Sequence, residues 1–271
     1  MPHRKRYAHE WNGMIIKLIV VLGLMFLVFP IIVVIVTSLN KTAYIQFPPE
    51  SLSLKWFLNI LQKQKFINGF KISLLVASIV TVFSTTSGIL GALALVRYNF
   101  KGKGFLNSYL LSPIILPEVV TGVCLLTFFS SLGMFNNILN LIIGHTIITI
   151  PYVIRTVAAV LYRFNRSLEE AAMNLGANPL RTFFKITLPL IKTGVIAGAL
   201  FAFIMSFDNF AVSIFLTGPR AETLPIIIFM HLRYEADPTL AAVCTLLIIG
   251  ITALVLLLER FMSLEQFVGI D

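Results

Sequence analysis

Two carboxylates stand inside long apolar stretches of this chain. Asp208 lies 16 residues beyond Lys192, about 24 Å along a helix, and Glu118 lies 13 residues, about 20 Å, into an earlier stretch. A charged carboxylate in hydrocarbon costs about 3 kcal/mol or more unless it faces water or a partner, so a functional role is expected. Two acidic groups at similar depth would attract an organic cation and repel an oxyanion. With the adjacent polar residues Ser206 and Asn209, they form a candidate solute path; a structural role as protonated or hydrogen-bonded groups between helices is the open alternative.

A polar loop between two later apolar stretches carries a second pattern. It reads E-A-A-M-N-L-G from Glu170 to Gly176 and, nine residues further on, I-T-L-P from Ile186 to Pro189. Several positions of this loop predict its local structure through backbone hydrogen bonding or backbone conformation.

Ser167 and Glu170 have the spacing of a capping box, which predicts a short helix that begins at Ser167. Gly176 permits a sharp turn at the end of that helix, and Asn178-Pro179 predicts the start of a second one. The loop is therefore expected to be a helix-turn-helix on a membrane surface, closed by Pro189.

The composition indicates which elements carry these groups. The chain has 271 residues, of which 58% are hydrophobic and 12% charged, outside the range of soluble domains. Apolar stretches of about 20 residues or more can each cross about 30 Å of hydrocarbon, and without a two-residue alternation they favour helices over a barrel. Small residues spaced by four, at Gly194, Gly198 and Ala202, predict close helix packing. The predicted spans are Ile15–Ser38, Ile72–Val96, Phe105–Leu132, Ile138–Tyr162, Thr193–Thr217 and Thr239–Leu258.

The distribution of basic residues indicates the orientation. A first apolar run longer than a signal-peptide core, without a small-x-small cleavage site, predicts a retained span with the N-terminus inside. Lysines in the first external loop break the positive-inside pattern, so the orientation depends on the whole chain. The net charge of +9 is accordingly topological and does not indicate nucleic-acid binding. The predicted segments are cytoplasmic 1–14, a membrane domain 15–258 with external loop 39–71 and cytoplasmic loop 163–192, and a cytoplasmic tail 259–271.

The cytoplasmic loop resembles the EAA loop (E-A-A, three residues, G, nine residues, I-x-L-P) of importer-type ABC permeases. The stretches 111–117, 206–209, 215–219 and 223–225 are similar to the spermidine/putrescine-type branch of that family. The resemblance implies an all-α integral membrane protein with six transmembrane helices in the type I ABC importer permease (MetI-like) fold. The loop positions that match are Glu170, Ala171, Ala172, Gly176, Ile186, Leu188 and Pro189.

The resemblance also implies a function and partners. This chain would be the permease subunit of an ATP-driven importer, paired with a second permease subunit, two ATP-binding subunits and an external solute-binding protein in a bacterial inner membrane. Glu170 would make the polar contact to the ATPase, Ala171 and Ala172 the close-packed surface, and Gly176 the turn. The chain has no G-x-x-x-x-G-K-[ST] sequence, so ATP and magnesium are expected on the separate ATPase, and this chain is not expected to be an enzyme or to bind a cofactor.

Several alternatives stay open at this point. The cargo is expected to be polyamine-like; the same permease role for another solute, such as an amino-acid derivative, a phosphonate or ferric iron, is the alternative. A secondary transporter could instead use Glu118 and Asp208 as ion sites, and a membrane scaffold would carry no cargo. His145 and His231 lack partners at metal-site spacing in the sequence, so no metal site is predicted. Whether the permease pair is a homodimer or a heterodimer is also left open.

Overall fold

The computed structural model describes residues 3–44, 46–135, 137–219, 221–235 and 237–259, with side chains described within 14–258. Helices dominate these residues, in which β-type pairing is limited to an isolated bridge between Asn40 and Leu52. The α-helices, in chain order, are α1 (His3–Ser38), α2 (Lys55–Gln62), α3 (Gln64–Arg97), α4 (Lys103–Ile115), α5 (Glu118–Ser131), α6 (Asn137–Arg163), α7 (Ser167–Asn174), α8 (Pro179–Thr182), α9 (Leu188–Leu190), α10 (Lys192–Phe207), α11 (Ser213–Leu216), α12 (Leu224–Tyr234) and α13 (Thr239–Glu259); a π-helix, Phe183–Thr187, joins α8 to α9.

Four of the predicted spans are single helices that are long and apolar enough to cross a membrane. They cover Met14–Ser38, Gln64–Arg97, Asn137–Arg163 and Thr239–Leu258. The other two crossing segments are pairs of helices with a sharp bend between them. The bend is 108° between α4 and α5, and 74° between Pro179–Leu190 and α10. The all-α membrane fold is thus confirmed, with six crossing segments if each bent pair counts as one.

The third predicted span, Phe105–Leu132, is broken between α4 and α5. The break lies at Pro117, which has no backbone N–H and disfavours a helical conformation at the residue before it. Leu116 is accordingly extended, with ψ of 138°. A new helix begins at Glu118, which places its carboxylate on the first turn of α5.

The fifth span also departs from its predicted bounds of Thr193–Thr217. Helix α10 ends at Phe207, Asp208 is its C-cap residue, and the chain is non-helical until α11 begins at Ser213. Irregular backbone at membrane depth is tolerated where its polar groups find partners in protein or in a water-lined cavity. Asp208 therefore lies at a helix end rather than inside a helix.

The other predicted boundaries shift less. Helix α1 already begins at His3, so the predicted cytoplasmic segment 1–14 belongs largely to that helix. Helix α3 begins at Gln64, inside the predicted external loop 39–71. All but the first residue of the predicted tail 259–271 lies outside the described residues.

The chain forms two compact units, Met1–Gln64 with His231–Thr252, and Lys65–Met230 with Ala253–Asp271. In the first unit, the indole N–H of Trp56 donates a 2.6 Å hydrogen bond to the carbonyl oxygen of Asn40, and both residues are buried. This contact holds α2 against the end of α1.

The core of the second unit lies between α6 and α10. Gly194, Gly198 and Ala202 are buried on α10, and a Cβ atom at Gly198 would lie 3.0 Å from the Cα of Val153 on α6. The two helix backbones therefore approach as closely as the small-residue spacing predicts. This packing holds α10 in place, the helix that runs from the polar loop to Asp208.

Candidate functional site

The break between α4 and α5 and the non-helical stretch after α10 meet at a hydrogen bond. Asn209 donates from Nδ2 to Oε2 of Glu118 at 2.9 Å. Glu118 is half-buried, Asn209 is buried, and Asp208 is exposed beside it at the C-terminal end of α10. The structure thus brings together the segments that carry Glu118 and Asp208, which are separated in the chain by most of α5, by α6, by the polar loop and by α10.

His145 anchors the same break from α6, where it is fully buried. Its Nδ1 lies 3.0 Å from Oγ of Ser206, and its Nε2 lies 3.0 Å from Oγ of Ser213. Ser213 donates its own proton to the carbonyl oxygen of Asn209 at 2.6 Å, so it must accept from His145 Nε2–H. A neutral His145 with its proton on Nε2 satisfies every member of this network.

This network gives structural partners to two of the candidate path residues, Ser206 and Asn209. Ser206 is 3% exposed and is bonded to His145, and Asn209 holds the amide of Val212 through its Oδ1 at 2.9 Å. Both residues support the break, whereas Asp208 is open to the surroundings. Sequence reasoning assigned no role to His145, although a lone imidazole in an apolar stretch is the signal that could have indicated a buried polar network.

The polar loop has the predicted turn and the predicted second helix. Gly176 has φ of +88°, the left-handed region that favours glycine, and it follows Leu175, the C-cap residue of α7. Asn178 caps α8, since its Oδ1 accepts from the amide of Arg181 at 2.8 Å, with Pro179 in the first turn. Both predictions are confirmed.

The predicted capping box is wrong. Ser167 is already inside α7 and makes no side-chain cap. Its amide is taken by Oδ1 of Asn165 at 3.0 Å, so the carboxylate of Glu170 has no free amide to return to. Glu170 instead lies 3.3 Å from Nε of Arg166, in an exposed pair one helical turn apart.

The loop presents an apolar surface. No residue of α7 is buried, Ala171 is exposed, and Ala172 is half-buried. Leu175 is 89% exposed and Leu180 is 70% exposed, on either side of the Gly176 turn. By contrast, Leu188 packs against the hydrophobic core, and Ile186 is half-buried within the π-helix. Pro189 is exposed in α9, at the end of the loop.

A buried ion pair ties this loop to α3, and sequence reasoning missed it. Oε1 of Glu169 lies 3.2 Å from Nη2 of Arg97, and both side chains are 13% exposed. The same oxygen accepts from Oγ1 of Thr187 at 2.6 Å. The sequence holds one weak signal: adjacent glutamates on a helix point about 100° apart, so Glu169 and Glu170 present their carboxylates to different sides of α7.

In the first unit, an ionic cluster links Lys63 to residues at the end of α12 and in the turn before α13. Nζ of Lys63 lies 2.6 Å from Oε2 of Glu235 and 3.9 Å from Oδ2 of Asp237. The ring nitrogens of His231 lie 3.3 Å from Glu235 and 2.9 Å from Asp237.

The charges of this cluster shift both carboxyl groups in one direction. The hydrogen bond from Lys63 lowers the pKa of Glu235. Burial alone would raise the pKa of Asp237, but hydrogen bonds from His231 and Thr239 outweigh it and lower that pKa. The sequence was interpreted as having no partners at metal-site spacing for His231, and the fold corrects this: its ring and the carboxylates of Glu235 and Asp237 lie close enough to hold a cation. Lys63 supplies that cation as an ammonium group.

The fold, the broken spans and the EAA-type loop together define a transport subunit that crosses the membrane several times. A model of the family described as "Binding-protein-dependent transport system inner membrane component" matches residues 84–263. The chain belongs to that family.

Curated relatives agree with this membership, and a solved structure has a similar fold. The chain is 31% identical over 237 residues to the putrescine transport system permease protein PotI of Escherichia coli K12, which covers 85% of this chain and 84% of that protein. It is 33% identical over 224 residues to the spermidine/putrescine permease protein PotC of the same strain, at 83% and 84% coverage. A bacterial ABC transporter for import of the acidic polysaccharide alginate has a similar fold, with a TM-score of 0.74 at 16% identity, covering 94% of this chain and 98% of that one.

The class of the protein follows. It is the permease subunit of an ABC importer in the inner membrane, and it is a transport component rather than an enzyme. Such permeases work with a second permease, an ATPase that hydrolyses ATP, and a solute-binding protein.

Proposed function

We propose that this subunit imports a small organic cation of the polyamine type, with Asp208 and Glu118 along the path of the cation. The observation that carries the proposal is the junction of two helix ends at the Asn209–Glu118 hydrogen bond, with Asp208 exposed next to it. The names of the relatives PotI and PotC, which specify putrescine and spermidine, support the same cargo class.

The electrostatics of the junction favour a cation. The C-terminal end of α10 carries a partial negative charge from its free carbonyl groups, and Asp208 adds a carboxylate there. Glu118, in the first turn of α5, adds a second carboxyl group to the junction beside Asn209. Broken helix ends at membrane depth are also where transporters bind charged solutes.

The loop between α6 and α10 is proposed as the ATPase dock. Glu170 supplies an exposed carboxylate, and Ala171 leaves a slim surface beside the exposed side chains of Leu175 and Leu180. An exposed apolar patch with a polar residue at its edge is typical of a protein-protein contact. Ile186, Leu188 and Pro189 would then transmit the contact towards α10.

The assembly proposed is two permease subunits, two ATP-binding subunits that hold ATP and magnesium, and an external solute-binding protein. This chain contributes the membrane domain 15–258, with the loop 163–192 and both termini on the cytoplasmic side and the loop 39–71 outside. Closure of the ATPase pair would push the two coupling loops together and open the path outward. Hydrolysis would reset the path to the inside.

ATP-driven uptake in proteoliposomes tests this proposal. The chain is co-purified with its second permease and its ATPase, reconstituted, and supplied with the binding protein and radiolabelled putrescine or spermidine. We expect uptake that requires ATP on the side of the membrane where the ATPase is bound and that ionophores do not change. Excess sulfate is not expected to compete. Uptake that an ion gradient alone can drive would contradict it, and would favour a secondary transporter that uses Glu118 and Asp208 as ion sites.

A further inference from the structure

We infer that Glu169, rather than Glu170 alone, transmits movement of the coupling loop into the membrane, by positioning Arg97 on α3 and Thr187 on the π-helix. This inference rests on the proposed ATPase-docking role of the loop. It assigns the two neighbouring glutamates different tasks: Glu170 faces outward, and Glu169 faces the protein.

One oxygen atom joins three elements. Oε1 of Glu169, in the first turn of α7, lies 3.2 Å from Nη2 of Arg97, the last residue of α3. It also accepts the hydroxyl proton of Thr187 at 2.6 Å, where the π-helix ends. A displacement of α7 therefore moves the charge that holds the ends of two other helices.

Burial separates this pair from the exposed pair beside it. The side chains of Arg97 and Glu169 are each 13% exposed, whereas those of Arg166 and Glu170 are 61% and 56% exposed. Exposed pairs contribute little because water screens them, while a buried charge that loses its partner is strongly disfavoured. Arg97 also stacks over the ring of Phe164, 5.0 Å from its centroid, at the end of α6.

The contact is held by charge and packing rather than by a two-bond fork. Within the described residues, Nε and Nη2 of Arg97 are buried and make no hydrogen bond. A guanidinium group that is bonded at both edges to one carboxylate has a single favoured geometry. Arg97 lacks that constraint, so it can follow Glu169 over a short distance without leaving its partner.

The segment after Thr187 leads directly to the proposed solute path. The π-helix Phe183–Thr187 is a rare backbone form that recurs at functional sites. It is followed by the fully buried Ile191 and by a bend of 74° into α10. Helix α10 then runs along α6 to Asp208, so the contact of Thr187 with Glu169 stands at one end of α10 and the solute-path carboxylate at the other.

The test compares transport with ATP hydrolysis in the reconstituted complete transporter, with putrescine as the probe. Glu169→Ala and Arg97→Gln are expected to keep ATP hydrolysis but to lower the putrescine imported per ATP by about tenfold, within the range of measured couplings between sites. The charge-swapped double variant Arg97→Glu/Glu169→Arg is expected to recover part of that ratio. Lys101→Gln, which removes an exposed cation four residues after Arg97, is the matched control and is expected to match the unmodified transporter.

Thr187→Val tests the same contact with little disturbance of the fold, because it removes one hydroxyl and keeps the shape of the side chain. It is expected to lower the same ratio while the complex elutes and melts as the unmodified one does. An unmodified transporter that imports putrescine with ATP, together with normal ratios in Glu169→Ala and Thr187→Val, would overturn this inference alone. An unmodified transporter that shows no ATP-dependent uptake would overturn the proposed function as well.

Discussion

Asn209 and Glu118 lie 91 residues apart in the chain and share a hydrogen bond of 2.9 Å where two broken helices meet. The donor is the side-chain amide of the buried Asn209, and the acceptor is the carboxylate of the half-buried Glu118. It therefore links the C-terminal end of α10 to the first turn of α5. The position of Asp208 follows from this bond, because Asp208 is the residue before Asn209.

A double-mutant cycle measures this contact. Glu118→Gln, Asn209→Ala and the double variant are compared for their free energies of unfolding in detergent. Because a half-buried charge that loses its donor is penalised, a coupling energy of about 1–3 kcal/mol is expected. Single effects that add to within about 0.3 kcal/mol would show that the two side chains do not interact.

The turn at Gly176 is expected to be necessary for coupling. Gly176→Ala places a Cβ atom in a left-handed conformation, φ +88°, which costs about 1–2 kcal/mol and distorts the end of α7. Uptake per ATP should fall, whereas Gly176→Asn should largely keep it because asparagine tolerates this conformation. Transport by the alanine variant equal to that of the asparagine variant would contradict the assigned turn.

Glu170→Ala is expected to lower ATPase binding without removing the subunit from the membrane. The side chain is exposed and contacts Arg166 alone among the ion pairs described, so its loss should leave the melting temperature within a degree or so of the original. Co-purification of the ATPase reads out the binding. Undiminished recovery of the ATPase together with normal uptake would remove Glu170 from the proposed dock.

Close packing of α10 on α6 gives a prediction with an internal control. A Cβ atom at Gly198 would lie 2.6 Å from Oγ1 of Thr156 and 3.0 Å from the Cα of Val153, whereas one at Gly250 has nothing within 4 Å. Gly198→Ala should destabilise the protein by about 1–3 kcal/mol through overpacking. Gly250→Ala should be neutral or stabilising, since alanine favours helix by about 1 kcal/mol. Thermal unfolding of both variants measures these changes. Equal shifts in the melting temperature would contradict the close packing at Gly198.

The ionic cluster around Lys63 predicts a dependence of local stability on pH. The pKa values of Glu235 and Asp237 are both lowered in the folded protein, so their contribution is fully present above the ordinary carboxyl range of about 4 and is lost as the pH falls below it. The protection factors for hydrogen exchange, which are corrected for the intrinsic effect of pH on exchange, should therefore fall around residues 63 and 237–239 below about pH 4. Lys63→Met should weaken that dependence, and protection factors that do not change with pH in either protein would contradict the cluster.

Local features of the fold could be predicted from the sequence, whereas the long-range contacts could not. The turn at Gly176 and the restart at Asn178 depend on neighbouring backbone groups, and both are present. The capping box at Ser167 also used local groups, but Asn165 competes for the same amide and replaces it. Several side chains can satisfy one helix end, and the spacing alone does not rank them.

The breaks and the buried pairs depend on tertiary structure. Proline occurs inside α4 at Pro113 and between helices at Pro117, so the residue type alone does not say which proline ends a helix. Arg97 and Glu169 are separated by three helices in the chain, and no periodicity links them. The candidate carboxylates were found because a charge in an apolar stretch is visible in the sequence, while their supporting partner His145 is uncharged and less conspicuous.

The most direct test of the cation path is ATP-driven uptake of putrescine by Asp208→Asn in the reconstituted transporter. Glu50→Gln is the control, because it removes an exposed carboxylate outside the helices. The account predicts that Asp208→Asn lowers the initial rate by about tenfold, a loss of about 1.4 kcal/mol, at unchanged subunit assembly, and that Glu50→Gln matches the unmodified protein. An Asp208→Asn transporter that takes up putrescine at the unmodified rate would contradict it.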